Sequence, residues 1–245
     1  LTWTATLTPQ AGVTDATNAV SLDLTQIHDA AGNAGSGSTF SGNYAVDTQA
    51  PDTVAIALDG AILGGGRSIH ATFTFAETLQ DLPLAAVSAP HANVADLKSI
   101  DGGKTWTATL TANGSGTWAD NAVSVDLTKV VDSAGNAGNG TGTSTAYAVD
   151  TQGPAATLAL AGGELTIHFN EAVTDLTAAA VQVPGATLGN LQHSSDWLTW
   201  TATVTPLGDN GGNTASLDLA QVHDALGNTG SGSITTSAVD VPPPT

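Results

Sequence analysis

Residues 104–112 read KTWTATLTA, and nearly the same phrase stands at 1–9 (LTWTATLTP) and at 198–206 (LTWTATVTP). Within it, Trp106, Ala108 and Leu110 alternate with threonines. A period of two sends successive side chains to opposite faces of a strand, and β-branched threonine suits a pleated surface. The phrase is a strand with one apolar face, written three times. Trp3, Trp106 and Trp200 set the register of the repeat, with offsets of 103 and 94.

The repeat extends on both sides of this phrase. Upstream, FTFAETLQDLP (73–83) matches IHFNEAVTDLT (167–177), again at an offset of 94. Downstream, Asp-x-x-Gly-Asn occurs in IHDAAGNAGSG (27–37), VVDSAGNAGNG (130–140) and VHDALGNTGSG (222–232), each followed by AVD. Asp23, Asp29 and Asp47 thus correspond to Asp126, Asp132 and Asp150, then to Asp218, Asp224 and Asp240. Residues 50–152 form one full repeat and 153–240 a second, while 1–49 are the back half of another, strands E to G. Residues 241–245, VPPPT, read as a linker to a further domain, so the chain is expected to be a stretch of a longer array. The third copy is shorter mainly because DGAILGGGRS (59–68) is answered there by AGGE (161–164).

Alternation in the middle repeat predicts strands near 53–58, 68–75, 84–89, 92–100, 105–111, 122–127 and 143–149. Ile69, Ala71, Phe73 and Phe75 fall on one face, as do Val123, Val125 and Leu127. Seven short strands in about 90–100 residues predict an immunoglobulin-like β-sandwich. The fold class is therefore all-β, as tandem seven-stranded sandwiches in an elongated array, with no convincing helix.

Composition narrows the function. Four basic residues face 22 acidic ones, a formal net charge of −18. Such a chain repels polyanions, which argues against nucleic acid as a partner. The same imbalance favours divalent cations, and Ca²⁺ is the expected cofactor. Cysteine is absent, so disulfides and thiolate metal sites are excluded. No apolar run approaches the roughly 18 residues of a membrane span, and no signal peptide is visible.

Asp-x-x-Gly-Asn supports two readings. Asp caps a tight turn through its side chain while Gly takes a positive φ; alternatively, the loop presents an oxygen ligand, and Ca²⁺ collects six to eight of these. In an immunoglobulin-like order, the loops after strands B and F share a pole with the entry to strand A. Glu77 and Asp81 follow strand B, Asp132 and Asn136 follow strand F, and Asp47 lies in the linker VDTQAP. These segments should converge at the junction between repeats. The next junction repeats the set with Asp150, Glu171, Asp175, Asp224 and Asn228. Asp29 and Asn33 would serve a junction whose other half is missing. The loop matches neither the EF-hand pattern nor the β-roll nonapeptide.

Taken together, FNEAVTD, WTATVTP, DxxGNxG and YAVDTQxP resemble the bacterial immunoglobulin-like (BIg) tandem repeats of giant secreted adhesins and biofilm-associated surface proteins. The resemblance covers nearly the whole chain. It implies an extended stalk at the cell surface, rigidified by Ca²⁺ between domains and exported by type I secretion. The third copy departs from the pattern, ending SAVDVPPP rather than YAVDTQxP.

The remaining residues take blander readings. Trp3, Trp106 and Trp200 belong to the core rather than to a sugar platform. Trp118 and Trp197 lie outside the repeated phrase and are the weak candidates for a ligand contact. Asp23, Asp126 and Asp218 sit on a solvated strand face. His28 and His223 precede the loop Asp, but Val131 replaces them in the middle copy, which disfavours a catalytic dyad. No nucleophile elbow is present, and duplicated carboxylates without a cleft disfavour a glycosidase. The expected function is a non-enzymatic extracellular stalk or spacer, with neighbouring repeats of the same chain as partners. Two alternatives stay open: a subunit of a self-assembling filament, matrix fibre or surface layer, in contact with other copies, and a carbohydrate-binding sandwich.

Overall fold

The computed structural model describes residues 2–208 and 212–238. Residues 1–49 contribute β1 (Thr14–Asn18), β2 (Ser21–Asp23), β3 (Ser38–Phe40) and β4 (Tyr44–Asp47). The middle unit has β5 (Val54–Leu58), β6 (Ile62–Leu63), β7 (Ser68–Phe75), β8 (Leu79–Asp81), β9 (Val87–Ser88), β10 (Ala92–Ser99), β11 (Thr105–Ala112), β12 (Thr117–Asp126), β13 (Val131–Asp132) and β14 (Thr141–Asp150). The third unit has β15 (Ala156–Ala161), β16 (Glu164–Phe169), β17 (Val181–Gln182), β18 (Ala186–His193), β19 (Thr199–Pro206), β20 (Ser216–Asp218) and β21 (Ser233–Thr235). No α-helix occurs among the described residues.

In the middle unit, one sheet runs β10-β11-β7-β5 and the other β6-β14-β12-β9. These are strands D-E-B-A facing A′-G-F-C, the two-sheet order of an immunoglobulin-like sandwich. The third unit repeats it as β15-β16-β19-β18 against β17-β20-β21. The expected apolar faces meet inside: Ile69, Phe73, Phe75, Leu110, Val123, Val125 and Leu127 are all buried. Trp106 and Trp200 close the core beneath the loops, each donating its indole N–H to a backbone carbonyl, of Gly103 and Val173 respectively. Each of these two units has its own apolar cluster, and no cluster crosses the junction between them.

Several local expectations are corrected. The stretch 84–89 opens as a 3-10 turn, Leu84–Ala86, because Pro83 fixes the backbone φ before it and its carbonyl accepts from Ala86. Only Val87–Ser88 remains a strand. Asp23, Asp126 and Asp218 do more than face solvent. Each caps a 3-10 turn by accepting from the backbone N–H two residues on, which ends strand F. Among the described residues, the phrase TWTATLTP (2–9) pairs with no strand, and Trp3 is 91% exposed. The linker expected at 241–245, and Asp240, lie outside the described residues.

Candidate metal centre at the junctions between units

The Asp-x-x-Gly-Asn loop is a closed turn in all three copies. Asp132 Oδ1 accepts from the backbone N–H of Ala134 (2.9 Å) and Asn136 (2.8 Å), and its Oδ2 from Asn136 Nδ2 (2.8 Å). Asp224 makes the same contacts with Leu226 and Asn228, and Asp29 with Ala31 and Asn33. The glycine takes the left-handed conformation, with φ of 86°, 95° and 92° at Gly32, Gly135 and Gly227. The turn reading of the motif therefore holds in each copy.

The loop also lies where the topology argument placed it. Short β8 pairs antiparallel with β13, joining the segment after strand B to the segment after strand F. In the third unit, a bridge between Val173 and Asp224 does the same. The linkers are tied in by the loop asparagines: Asn136 Nδ2 donates to the Asp47 carbonyl (3.2 Å) and Asn228 Nδ2 to the Asp150 carbonyl (3.0 Å). Asp47 and Asp150 are themselves oriented by Thr14 and Thr117, whose hydroxyls donate to Oδ1 at 3.0 Å.

At the second junction, Asp150, Glu171 and Asp224 each place one oxygen within 4.8 Å of the others. Among the described residues this is the only group of three or more metal-ligating side chains so close together. Each carboxylate comes from a different segment. At that spacing each ionised pair repels by roughly 3–4 kcal/mol at an effective dielectric of about 20. Burial, then Asp224 and Asp150, push the Glu171 carboxyl up to about 7. At the first junction, Glu77 is raised in the same way by burial, Asp132 and Asp47. Glu77 Oε2 is buried with no hydrogen-bond partner. Burial works against ionised Asp132, but the donors from Asn136, Ala134 and Gly135 outweigh it and hold its carboxyl below the usual range. Among the described residues, none of these junction carboxylates forms an ion pair with a Lys, Arg or His side chain.

These donors fit a hard divalent cation. All are oxygens, with no thiolate or imidazole among them, which suits Ca²⁺ rather than zinc or copper. The orphaned Glu77 oxygen and the elevated Glu171 carboxyl are what an unneutralised ligand set would show.

Some expected ligands stand elsewhere. Asp81 is exposed on β8, and Asp175 is taken up by His223, accepting from its backbone N–H (3.1 Å) and contacting its ring Nδ1 (2.7 Å). Asp81 pairs with Val131 on the strand edge, and Asp175 lies outside any strand, held by His223. Asn136 and Asn228 position carboxylates through Nδ2. Asp29 and Asn33 form the turn alone, exposed, with no glutamate beside them. Trp118 and Trp197 are half-buried; each lays its ring on a histidine, His91 at 4.1 Å and His193 at 3.5 Å between centroids. They form no exposed aromatic strip.

Asp52 was not anticipated, yet its charge acts on Glu77. Its place in the third unit is held by Ala155, so a search for repeated residues passes over it.

A family model described as a bacterial Ig-like domain matches three times, over residues 1–46, 47–149 and 150–241. Among curated proteins, none matches the sequence. One similar solved structure is the Escherichia coli adhesin FdeC, with 13% identity over 82% of this chain and 68% of that one, and a TM-score of 0.43. Another holds domains 4–9 of the surface layer protein SbsC, with 13% identity over 87% of this chain and a TM-score of 0.24. This chain spans 34% of that second structure.

Proposed function

Because the chain belongs to the bacterial Ig-like domain family, with three units in tandem, we propose that it is a stalk segment of a large adhesin at the bacterial surface, stiffened by Ca²⁺ at the junctions between units. Its work in this reading is mechanical and extracellular rather than catalytic. The observation that carries it is the meeting of Asp150, Glu171 and Asp224, from the linker, the segment after strand B and the loop after strand F.

Bound there, Ca²⁺ would supply the positive charge that these carboxylates lack. The protein's part is to hold the ligands in place. The turn fixes Asp224, Asn228 ties the linker carbonyl of Asp150 to the loop, and Thr117 orients the Asp150 carboxylate. Since Asp150 leads out of the middle unit while Glu171 and Asp224 belong to the third, sharing one cation limits the hinge between them. Asp47, Glu77 and Asp132 are the corresponding set at the first junction, with Asp52 as a further charge.

The test is calorimetric titration of the chain with Ca²⁺, paired with small-angle scattering in Ca²⁺ and in EGTA. Saturable binding, with a narrower range of shapes in Ca²⁺, is expected. A flexible profile that Ca²⁺ leaves unchanged would sink the reading. Concentration-dependent fibres would favour a self-assembling filament instead.

A further inference from the structure

The extra residues in the connection between strands A and B of the middle unit lie against the next unit. Strand β6 pairs in parallel with β14, Ile62 opposite Ala148 and Leu63 opposite Val149, which pins the following loop beside Asp150. From there Gly65 N donates to Asn228 Oδ1 at 2.7 Å, and Arg67 Nη2 to the Ala225 carbonyl at 3.4 Å. The backbones meet closely. A Cβ on Gly64 would stand 1.8 Å from the Asp150 carbonyl oxygen and 3.3 Å from Leu226 Cδ1. A Cβ on Gly65 would stand 1.9 Å from the Leu226 carbonyl oxygen, whereas one on Gly66 would meet nothing within 4 Å. Only glycine permits backbones to approach this closely. The facing loop of the third unit is gripped from the linker as well: a Cβ on Gly153 would lie 2.0 Å from the Thr229 carbonyl oxygen.

We propose that Gly64–Arg67 is a latch, a surface of one unit built to receive the Asp224–Asn228 loop of the next and to fix their relative orientation with no cation bound. Asn228 is its hub: Oδ1 takes the Gly65 N–H, while Nδ2 holds the Asp224 carboxylate (2.7 Å) and the Asp150 carbonyl (3.0 Å). The latch sets the orientation, and the carboxylates beside it are positioned by the same side chain. The third unit carries no such loop, because β15 turns directly into β16 through Gly162 and Gly163.

The chain has no cysteine, so Lys98→Cys and Gln192→Cys, on exposed positions of β10 and β18, give one clean spin-label pair across the junction. Pulsed dipolar spectroscopy in EDTA reads the distribution of distances. A narrow distribution is expected for the parent chain and for Gly66→Ala, and one at least twofold broader for Gly65→Ala. Both alanines take a left-handed φ (+77° at 66 and +55° at 65), the less favourable one at 66, but only the one at 65 collides with the next unit. Should Gly65→Ala unfold the middle unit, Arg67→Glu carries the test, since it reverses the charge at the Ala225 carbonyl without touching a core. A broad parent distribution in EDTA overturns the latch. So does a Gly65→Ala distribution no wider than that of Gly66→Ala, or, where that variant unfolds, an Arg67→Glu distribution as narrow as the parent's. A parent distribution narrow in EDTA and unchanged by Ca²⁺ supports the latch while counting against the cation reading, so the two are separable.

Discussion

The two junctions use the same linker Asp, glutamate and loop Asp, yet they differ in how tightly they gather them. At the second, the three carboxylates close to within 4.8 Å and Glu171 rises to about 7. At the first, the same residue types raise Glu77 without closing to that distance. The local turns are alike, down to hydrogen bonds within about 0.1 Å of each other. What differs is the covering. Asn228 is 7% exposed beneath the glycine loop of the preceding unit, while Asn136 is only half-buried. The loop aspartates themselves are nearly buried at both junctions, 1% exposed at Asp132 and 9% at Asp224, so the turn shields the carboxylate and the neighbouring unit covers the asparagine.

The comparison breaks most visibly at the loop aspartates. Asp224→Ala strips the acceptors from three donors at a nearly buried site and should cost about 2–4 kcal/mol of the third unit's stability in chemical denaturation. Asp132→Ala should cost the middle unit a similar amount, because the turns match. Unequal losses would show that the covering loop, rather than the turn, carries the energy.

Next in size is the effect of pH. In the metal-free chain, Glu171 titrates near 7 when folded and near 4.5 when unfolded. Between these values the folded state holds the extra proton, so stability falls as pH rises through that window. Glu171→Gln should remove this slope and raise stability at pH 8 by about 1–3 kcal/mol in EDTA. Glu77→Gln should act in the same direction by less. Denaturation midpoints at pH 5 and pH 8 check both. With Ca²⁺ saturating, the sign should reverse for Glu171→Gln, since a ligand is lost.

Smaller still is stabilisation by the ion itself. Ca²⁺ at ten times its dissociation constant should add about 1.4 kcal/mol per site. The third unit should gain this at lower Ca²⁺ than the middle unit, which differential scanning calorimetry resolves. The smallest expected effect comes from Ala155→Asp, which gives the second junction the counterpart of Asp52. It should tighten Ca²⁺ binding a few-fold, about 0.5–1 kcal/mol by the affinity arithmetic, and no change would remove Asp52 from the site.

Much of this was legible in the chain. KTWTATLTA and its echo at 198–206 placed strand E in the two full units, and the alternation at Ile69–Phe75 gave β7 to the residue. The convergence of Asp47, Glu77 and Asp132 followed from strand order alone, since sandwich topology puts those segments at one pole. Other features were hidden for identifiable reasons. The run at Leu84–Ala89 is apolar whether it is strand or 3-10 turn, so its composition could not decide. Asp81 and Asp175 lie four residues past the glutamates, and only the structure shows Asp81 exposed on β8 and Asp175 engaged by His223. Trp118 and Trp197 lack a periodic partner, so their histidine stacks were invisible.

By itself the sequence determined the repeat and the sandwich, and narrowed each Asp-x-x-Gly-Asn to a turn or a ligand, because these are written in local spacing or in self-similarity. Only the tertiary structure decided which carboxylates stand within 4.8 Å of one another, and that GGGR lies on the neighbouring unit. Those outcomes depend on backbone approach between segments as much as 163 residues apart, and a missing Cβ at Gly65 has no meaning until the Leu226 carbonyl is beside it.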